Sequence, residues 1–464
     1  MTRVIFLIAL ALFTALSLSA QKVTGDWYGE LGSGKNTMQF IFHITETENG
    51  LSATMDIPTR NLLGIKTQKT TFENNNLHID GRNFGFEYKG LFNADSAAIL
   101  GNFLEGAAEV PLNLKREKLE APKVKMRPQE PLKPFPYREE EVVFANEKDG
   151  ITLAGTLTLP RGNGKFPTVI LITGSGPQNR DEEIFGHKPF LVLADHLTKL
   201  GIAVLRYDDR GVNESTGNFT DATTADFATD VESAIAYLKT RKDIDKKKIG
   251  LIGHSEGGII APIVAVNSKD VDFMVLLAGT GVSGYETSRI QARTLRGFEV
   301  PDEDVFDEFI IGALDIASAD KDVALVREEL TDFYNKSAFF NSIAGEGAQR
   351  EQVLKGLVEA RTTKWMRYFY NYNPADLLEK VKCPVLSISG TKDQQVVQNI
   401  NQAGIKAALE KSKNKDYQVI ALEGLNHFFQ EAETGAMNEY DDIEETFSPK
   451  ALKIISDWIL KRVK

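Results

Sequence analysis

A serine at position 255 stands at the centre of the pentapeptide G-H-S-E-G. The apolar stretch I-G-L-I before it is typical of a buried strand, and G-I-I-A-P-I-V-A-V after it has the composition of a buried helix. Where a strand and a helix meet in a sharp turn, small flanking residues permit the turn and leave the serine oxygen exposed. This context predicts that Ser255 is a nucleophile, although the five residues alone would also fit an ordinary glycine-rich turn.

A serine hydroxyl is a poor nucleophile unless a base removes its proton and a third group orients that base. His427, in the segment L-E-G-L-N-H-F-F, is the only histidine that follows Ser255 in the sequence. It lies in a glycine-containing loop just after the predicted strand Y-Q-V-I-A-L. We therefore expect His427 to be the base, and the alternative is a structural histidine whose hydrogen bonds are satisfied.

The acid that orients the base should lie on a loop between Ser255 and His427. The predicted strand P-V-L-S-I-S-G continues into T-K-D-Q-Q-V, which places Asp393 on the loop that follows this strand. Aspartate is also common in ordinary turns, and Glu423 is a second, less well placed candidate. Asp393 is thus the predicted acid.

Negative charge that develops on a substrate oxygen needs hydrogen-bond donors, and backbone N–H groups are the usual ones. One donor should be the N–H of Glu256, directly after the serine, and the other the N–H of Ser175 in T-G-S-G-P-Q-N-R-D. A phosphate cradle is the competing interpretation, but this loop has neither the G-x-G-x-x-G spacing nor a P-loop lysine. The predicted chemistry uses no metal and no cofactor.

The elements that must position these side chains occupy residues 139–464, where strand and helix patterns alternate. Continuous apolar strands between helices indicate a mainly parallel sheet that is buried on both faces, and the first two strands form an antiparallel hairpin pattern. Residues 285–370 carry only amphipathic helical patterns. We expect this insertion to cap the C-terminal ends of the strands, where ligands bind in open α/β sheets, or else to pack peripherally.

The N-terminal part of the chain has a different sequence pattern. Residues 21–118 consist of short stretches in which polar and apolar residues alternate, separated by glycine or asparagine, and they predict a small antiparallel β barrel or sandwich. His43 and His78 fall on these strands and are not expected to be catalytic. Residues 119–138 contain five prolines and are predicted to form an extended linker, or a strap laid over the next domain.

Residues 1–20 have a short basic start, an apolar run and a small-residue end, which is the layout of a secretory signal peptide. The only cysteine, Cys383, lies far from this segment, so the sequence has no lipoprotein cysteine there and no disulfide within the chain is possible. The sequence therefore predicts a secreted or periplasmic protein with no membrane span after cleavage. Its net charge of −11, without a compensating basic block, argues against nucleic acid as a partner.

The set of motifs G-S-G-P-Q-N-R-D, G-H-K-P-F, R-Y-D-D-R-G, G-H-S-E-G-G, G-T-K-D and L-N-H resembles the α/β-hydrolase superfamily over residues 139–464. Within it, the chain looks like secreted bacterial carboxylesterases related to the dienelactone hydrolase and acyl-peptidase branches. The resemblance implies Ser255, Asp393 and His427 as the triad, with Ser175 and Glu256 as oxyanion donors. Arg206, Asp208, Asp209 and Arg210 are expected to fix the loop beneath the site rather than to touch substrate.

Three functions are compatible with this sequence. The first is a serine carboxylesterase that acts on a small ester through an acyl-enzyme on Ser255. The second is a serine exopeptidase of the same fold, for which the adjacent acids Glu182-Glu183 and Glu444-Glu445 could bind a substrate amino terminus. The third is a binding protein in which the β domain captures a glycan or lipid and the hydrolase unit is vestigial, although an intact triad argues against it.

Overall fold

The computed structural model describes residues 23–32, 37–48, 50–58, 62–105, 108–119 and 127–463. The chain divides into two compact units between residues 125 and 126. The predicted signal peptide at residues 1–20, and residues 120–126 of the predicted linker, lie outside the described residues.

The first unit is an antiparallel β barrel. It contains the strands β1 (Gly25–Leu31), β2 (Met38–Thr47), β3 (Gly50–Ile57), β4 (Leu62–Lys66), β5 (Lys69–Glu73), β6 (Asn76–Gly81), β7 (Phe86–Asn93), β8 (Ala98–Glu105), β9 (Ala108–Pro111) and β10 (Leu114–Lys115). Eight of them follow one another in the order β10-β1-β2-β3-β5-β6-β7-β8, and β10 also pairs with β8. This second pairing of β10 closes the sheet, so the structure selects the barrel over the sandwich.

The interior of the barrel is filled by side chains. Trp27, Phe40, Phe42 and Tyr88 are buried there, and Phe86 stacks on Phe103 with 5.3 Å between the ring centroids. Alternation along each strand directs these apolar residues inward and the polar residues outward. Since aromatic side chains occupy this interior, the barrel has a packed core of its own.

The second unit is built on a single sheet of eight strands. They are β11 (Arg138–Asn146), β12 (Ile151–Leu159), β13 (Phe166–Ile172), β14 (Ala203–Tyr207), β15 (Ile244–His254), β16 (Phe273–Leu277), β17 (Val385–Gly390) and β18 (Tyr417–Leu422). Their order is β11-β12-β14-β13-β15-β16-β17-β18, and only the pairings of β12 with β11 and β14 are antiparallel. The α/β-hydrolase fold, including its antiparallel entry, is confirmed.

Helices cover both faces of this sheet. They are α1 (Pro189–Lys199), α2 (Thr224–Thr240), α3 (Gly257–Asn267), α4 (Gly284–Thr294), α5 (Glu303–Ser318), α6 (Val323–Lys336), α7 (Ala338–Ile343), α8 (Gly347–Arg361), α9 (Lys364–Asn371), α10 (Ala375–Leu378), α11 (Gln398–Lys411) and α12 (Pro449–Val463). Along β13, Ile170 and Ile172 join one core cluster, whereas Val169 and Leu171 join the other. This two-sided burial explains why the strands are continuous apolar runs. Among the helices that the structure describes, none is long and apolar enough to cross a membrane.

The predicted insertion forms the six helices α4 to α9, between β16 and β17. Their buried side chains make a separate apolar cluster that includes Phe309, Leu330 and Tyr334. Ile259, in the first turn of α3, belongs to the same cluster. The insertion therefore lies against the helix that follows Ser255, and we refer to it as the cap.

The described part of the proline-rich segment lies against the hydrolase unit. The Arg127 guanidinium donates hydrogen bonds to four backbone carbonyls, those of Phe185, Gly186, Asp441 and Ile443. The Gln129 side chain accepts from the backbone N–H groups of Thr446 and Phe447. Because proline has no N–H group, a proline-rich segment cannot pair regularly with the backbone of these loops. Side chains make the contacts instead, and the segment lies on the unit as a strap.

Candidate active site

Ser255 lies in the turn between β15 and α3, at the C-terminal end of a central strand of the sheet. Its φ angle is +51°, in the left-handed region that residues with a side chain rarely adopt. The Ser255 N–H donates to the carbonyl of Leu277 at 2.8 Å, and the Ser255 carbonyl accepts from the Gly258 N–H at 2.9 Å. These bonds fix the strained backbone of a nucleophile elbow.

The two glycines of the motif allow the chain to pass itself closely. A Cβ atom on Gly253 would lie 2.0 Å from the carbonyl oxygen of Gly257, and one on Gly257 would lie 2.2 Å from the carbonyl oxygen of Ile172. Both obstacles are backbone atoms, which cannot rotate away as side chains can. The G-x-S-x-G spacing is therefore a steric requirement of this turn.

His427 and Asp393 form a buried pair. The His427 Nδ1 lies 2.8 Å from the Asp393 Oδ2, and both side chains are almost completely buried. The other carboxylate oxygen, Oδ1, accepts the backbone N–H groups of Gln395 and Val396, each at 2.8 Å. The carboxylate is thus held by its own loop, and it orients the imidazole ring. Glu423, the alternative acid, is exposed and makes no contact of this kind among the described residues.

The His427 ring lies beside the elbow. Its centroid is 4.7 Å from that of His254, the residue before Ser255. The His254 Nε2 also donates to the backbone carbonyl of His427, at 3.0 Å. The structure therefore brings the predicted base and acid to the residue next to the predicted nucleophile.

The loop of residues 173–178, which we call the oxyanion loop, faces the serine. A Cβ atom on Gly174 would lie 3.3 Å from the Ser255 Cβ, so this loop approaches the serine within van der Waals contact. Within the part of the chain that the structure describes, neither the Ser175 N–H nor the Glu256 N–H donates to a protein acceptor. Both predicted oxyanion donors are thus available to a ligand.

Buried charges hold the oxyanion loop from below. The Asp209 carboxylate accepts from the Thr173 hydroxyl at 2.7 Å and from the Gln178 N–H at 2.9 Å. The Asp208 carboxylate binds the Arg180 guanidinium, with a shortest distance of 2.7 Å. Burial raises the pKa of Asp209 well above its ordinary value. These contacts agree with the expectation that the R-Y-D-D-R-G charges fix the loop.

The same loop system includes ion pairs at the two arginines of that motif. Arg206 pairs with Asp181, and Arg210 binds Asp230 with a shortest distance of 2.8 Å. All four residues are at least partly buried. His187, in the motif G-H-K-P-F, is buried, and its ring nitrogens bond the Thr446 hydroxyl and the Tyr440 carbonyl.

Sequence reasoning missed two side-chain roles at the elbow. The Glu256 carboxylate accepts from the Thr224 hydroxyl and from the Trp365 Nε1, each at 2.7 Å. Trp365 belongs to α9, so this bond joins the elbow to the cap. Glu182, on the loop after residue 178, accepts from both Gly174 and His254. Neither contact has a signal in the motif, because both partners come from distant segments.

The fold, the elbow and the buried Asp393–His427 pair define a serine hydrolase of the α/β-hydrolase class. A family model described as X-Pro dipeptidyl-peptidase (S15 family) matches residues 149–415, which is more than half of the chain. The chain belongs to this S15 family of serine hydrolases, which the comparisons also link to esterases.

Curated relatives are similar at low identity. The chain is 27% identical over 275 residues to the esterase EstD of Thermotoga maritima, covering 59% of this chain and 57% of EstD. It is 25% identical over 328 residues to an uncharacterised 31.7 kDa protein of Escherichia coli, covering 68% of this chain and 97% of that protein. A solved esterase of Pyrococcus furiosus is 16% identical with a TM-score of 0.42, covering 71% of this chain and 92% of its own.

Proposed function

We propose that this protein hydrolyses small carboxylic esters through an acyl-enzyme on Ser255. The observation that carries the proposal is the buried pair of His427 and Asp393, 2.8 Å apart, beside the elbow that holds Ser255. A histidine oriented in this way can act as a general base toward a serine hydroxyl.

In the acylation step, the Ser255 Oγ attacks the ester carbonyl carbon while the His427 Nε2 takes the hydroxyl proton. The carbonyl oxygen becomes negative and accepts from the N–H groups of Ser175 and Glu256. When the C–O bond to the alcohol breaks, the His427 imidazolium returns the proton to the departing oxygen. The products of this step are the free alcohol and an ester of Ser255.

In the deacylation step, water replaces the alcohol. The His427 imidazole takes a proton from the water as its oxygen attacks the acyl carbon, and the same backbone donors bind the oxyanion. Breaking the bond to the Ser255 Oγ returns the proton to the serine and releases the carboxylic acid. Throughout, the Asp393 carboxylate stabilises the imidazolium that forms at each step.

Similarity to EstD supports ester substrates, although the chain spans only 57% of that relative's length. The description of the matching family model supports the second candidate, a peptidase that acts on X-Pro bonds. An exopeptidase of this kind needs a carboxylate for the substrate ammonium. Glu182 is already bonded to Gly174 and His254, and the Glu183 side chain is only 6% exposed. These contacts argue against Glu182 and Glu183 as that carboxylate, whereas Glu444 of the other acidic pair is exposed. Support for ester substrates therefore comes from the similarity to EstD.

The experiment that tests this proposal compares p-nitrophenyl acetate and butyrate with alanyl-prolyl-p-nitroanilide on the purified protein. We expect ester turnover to exceed amide turnover by at least about 100-fold in kcat/KM, which is a difference of about 3 kcal/mol. Dominant cleavage of the prolyl amide would replace the esterase with the peptidase. Turnover of neither, together with no labelling by a fluorophosphonate, would favour the vestigial binding protein.

We also propose that residues 1–20 direct export, so that the enzyme acts outside the cytoplasm. The proposal rests on the basic, apolar and small-residue order of that segment. Fractionation of cells that express the full chain should recover esterase activity outside the cytoplasm. The active polypeptide should be shorter than the full chain by this segment. Recovery of an unshortened, cytoplasmic enzyme would contradict it.

A further inference from the structure

His254, the second residue of G-H-S-E-G, makes two hydrogen bonds to two different loops. Its Nδ1 lies 2.8 Å from the Glu182 Oε1, and its Nε2 lies 3.0 Å from the backbone carbonyl oxygen of His427. The side chains of His254 and Glu182 are only 4% and 3% exposed. The pair is therefore shielded from water, and neither ring nitrogen can exchange its partner for solvent.

The partners determine where the protons are. A carbonyl oxygen carries no proton, so the His254 Nε2 must be the donor toward His427. The Glu182 Oε1 already accepts the Gly174 N–H at 2.7 Å, and an oxygen that accepts two bonds is best supplied by an ionised carboxylate. The His254 Nδ1 must then donate as well. Both ring nitrogens carry protons, and the ring is an imidazolium.

We propose that His254 is a permanently charged positioning residue, which with Glu182 ties the oxyanion loop to the loop that carries His427. The chain of bonds runs from the Gly174 N–H through Glu182 and His254 to the His427 carbonyl. It passes directly beside the elbow, because His254 precedes Ser255. This inference rests on the proposed function, since it assigns how the triad and its oxyanion donors keep their spacing.

The charged groups around His254 are consistent with this state. Burial lowers the pKa of His254, but the Glu182 carboxylate and the more distant Asp393 raise it, and the result is a pKa above the ordinary value. His427 is the other titratable ring that faces it. Two aromatic rings also lie beside it, those of Phe428 and Phe429, with ring centroids at 5.0 Å and 6.4 Å. Among these neighbours, therefore, two carboxylates face the His254 ring and no lysine or arginine does.

No neutral substitute at position 182 satisfies the three contacts. In Glu182→Gln, an amide oxygen at the Oε1 position would accept from Gly174 but would leave an uncompensated imidazolium at His254. An amide nitrogen there could donate to a neutral His254, but it would place two donors against each other at Gly174. With the oxygen there, His254 loses its counter-charge or, if it gives up the Nδ1 proton, its bond to residue 182. With the nitrogen there, the bond from Gly174 is lost. The shape of the side chain is retained in both cases.

The first test reads the charge of His254 directly. In the full-length enzyme labelled with ¹⁵N-histidine, the ring signals of His254 are assigned by their loss in His254→Gln. We expect both ring nitrogens to have shifts of protonated imidazolium from about pH 6 to about pH 9, beyond the ordinary histidine pKa of about 6.5. A His254 signal that titrates to the neutral form within this range would overturn the proposal, whatever the enzyme hydrolyses.

The second test reads the positioning. We expect His254→Gln and Glu182→Gln each to lower kcat for p-nitrophenyl acetate by about 10- to 100-fold, because small displacements of reacting groups are costly. Turnover is expressed per active site titrated with fluorophosphonate, so that a loss of folded protein does not lower the measured kcat. KM should change by less than about threefold. His196→Gln, a half-buried histidine on α1, is the matched control and should retain wild-type kcat.

A wild-type kcat per titrated site in both His254→Gln and Glu182→Gln would overturn the positioning role. A loss confined to KM would overturn it as well, because the contact would then serve substrate binding. Failure of the proposed function has a different signature, namely no ester turnover by the wild type. The imidazolium signal of His254 would still be measurable in that case.

Discussion

The His427 imidazole and the Asp393 carboxylate are joined by a 2.8 Å hydrogen bond through Nδ1, although 34 residues separate them in the chain. Each lies on a loop at the C-terminal edge of the sheet, after β18 and β17 respectively. Because adjacent parallel strands end at the same edge, the two loops meet there.

Replacing Asp393 by asparagine keeps the shape of the acid but removes its charge. In the proposed mechanism the Asp393 carboxylate stabilises the imidazolium and fixes its tautomer, so we expect kcat for p-nitrophenyl acetate to fall on the order of 1,000-fold or more. Steady-state kinetics measures this. Glu423→Gln, at the exposed alternative acid, is the control and should leave kcat unchanged. An equal loss in both variants would contradict the assignment of the acid.

The bond from the cap to the elbow can be removed with little change in packing. Trp365→Phe deletes the donor to Glu256 and retains a ring against Phe369, whose centroid lies 5.3 Å away. We expect a loss of about 1 kcal/mol in stability and a several-fold rise in KM, because the cap is less firmly held against the elbow. Differential scanning calorimetry and kinetics measure the two effects.

Trp458→Phe is the matched control for that variant. The Trp458 Nε1 lies buried on α12 without a hydrogen-bond partner among the described residues, so its removal breaks no bond. It should leave KM as in the wild type. If both tryptophan variants raised KM equally, the bond to Glu256 would not be the cause.

Alanine at position 257 tests the geometry of the elbow. The added Cβ would meet the Ile172 carbonyl oxygen at 2.2 Å, and a backbone atom can yield only if the strand moves. We expect Gly257→Ala to cost at least about 1–3 kcal/mol and to lower kcat, as overpacking does in other cores. Gly297→Ala adds a Cβ in open space and should have neither effect. Thermal midpoints and kinetics of the two variants distinguish these outcomes.

Glu183 makes stability depend on pH. Burial raises its pKa to about 7, even though Lys188 and Asn179 act in the opposite direction. The folded state therefore binds a proton that the unfolded chain, with an ordinary pKa of 4.5, releases earlier. Stability from this group is greatest below the unfolded value, falls as pH rises to about 7, and is constant above it.

The thermal midpoint near pH 5 and near pH 8 measures this effect in the full chain. Glu183→Gln has no proton to lose, so its free energy of unfolding should fall less between these two pH values than that of the wild type, by on the order of 2 kcal/mol, and its midpoint should fall less accordingly. Glu299→Gln, at an exposed glutamate, should behave as the wild type does. An unchanged pH dependence in Glu183→Gln would contradict the buried, protonated carboxyl.

The sequence predicts the hydrolase sheet well, because its central parallel strands contain apolar runs and the active-site motifs follow such runs. The sequence predicts the barrel less well, because β4 and β5 have only five residues each, L-L-G-I-K and K-T-T-F-E, and alternation over so few positions is a weak signal. Closure through β10, a strand of two residues, depends on pairing that no local pattern encodes.

At the site, the sequence predicts the residues that lie on loops at one edge of the sheet, but it does not predict which side chains form hydrogen bonds with them. The positions of Ser255, Asp393 and His427 after predicted strands predict these three residues as the triad. The sequence does not predict the bonds of Glu182 to His254 and of Trp365 to Glu256, since they join residues 72 and 109 positions apart. Such contacts depend on three-dimensional packing, which cannot be predicted from the pattern of polar and apolar residues along the chain.

The central claim is that Ser255 is the nucleophile of an acyl-enzyme. Mass spectrometry of the protein after reaction with a fluorophosphonate tests it most directly, with Ser233→Ala on α2 as a control for serine replacement. We predict one adduct, on the peptide that contains Ser255, in the wild type and Ser233→Ala, and neither adduct nor ester turnover in Ser255→Ala. An adduct on another serine, or full ester turnover by Ser255→Ala, would contradict the claim.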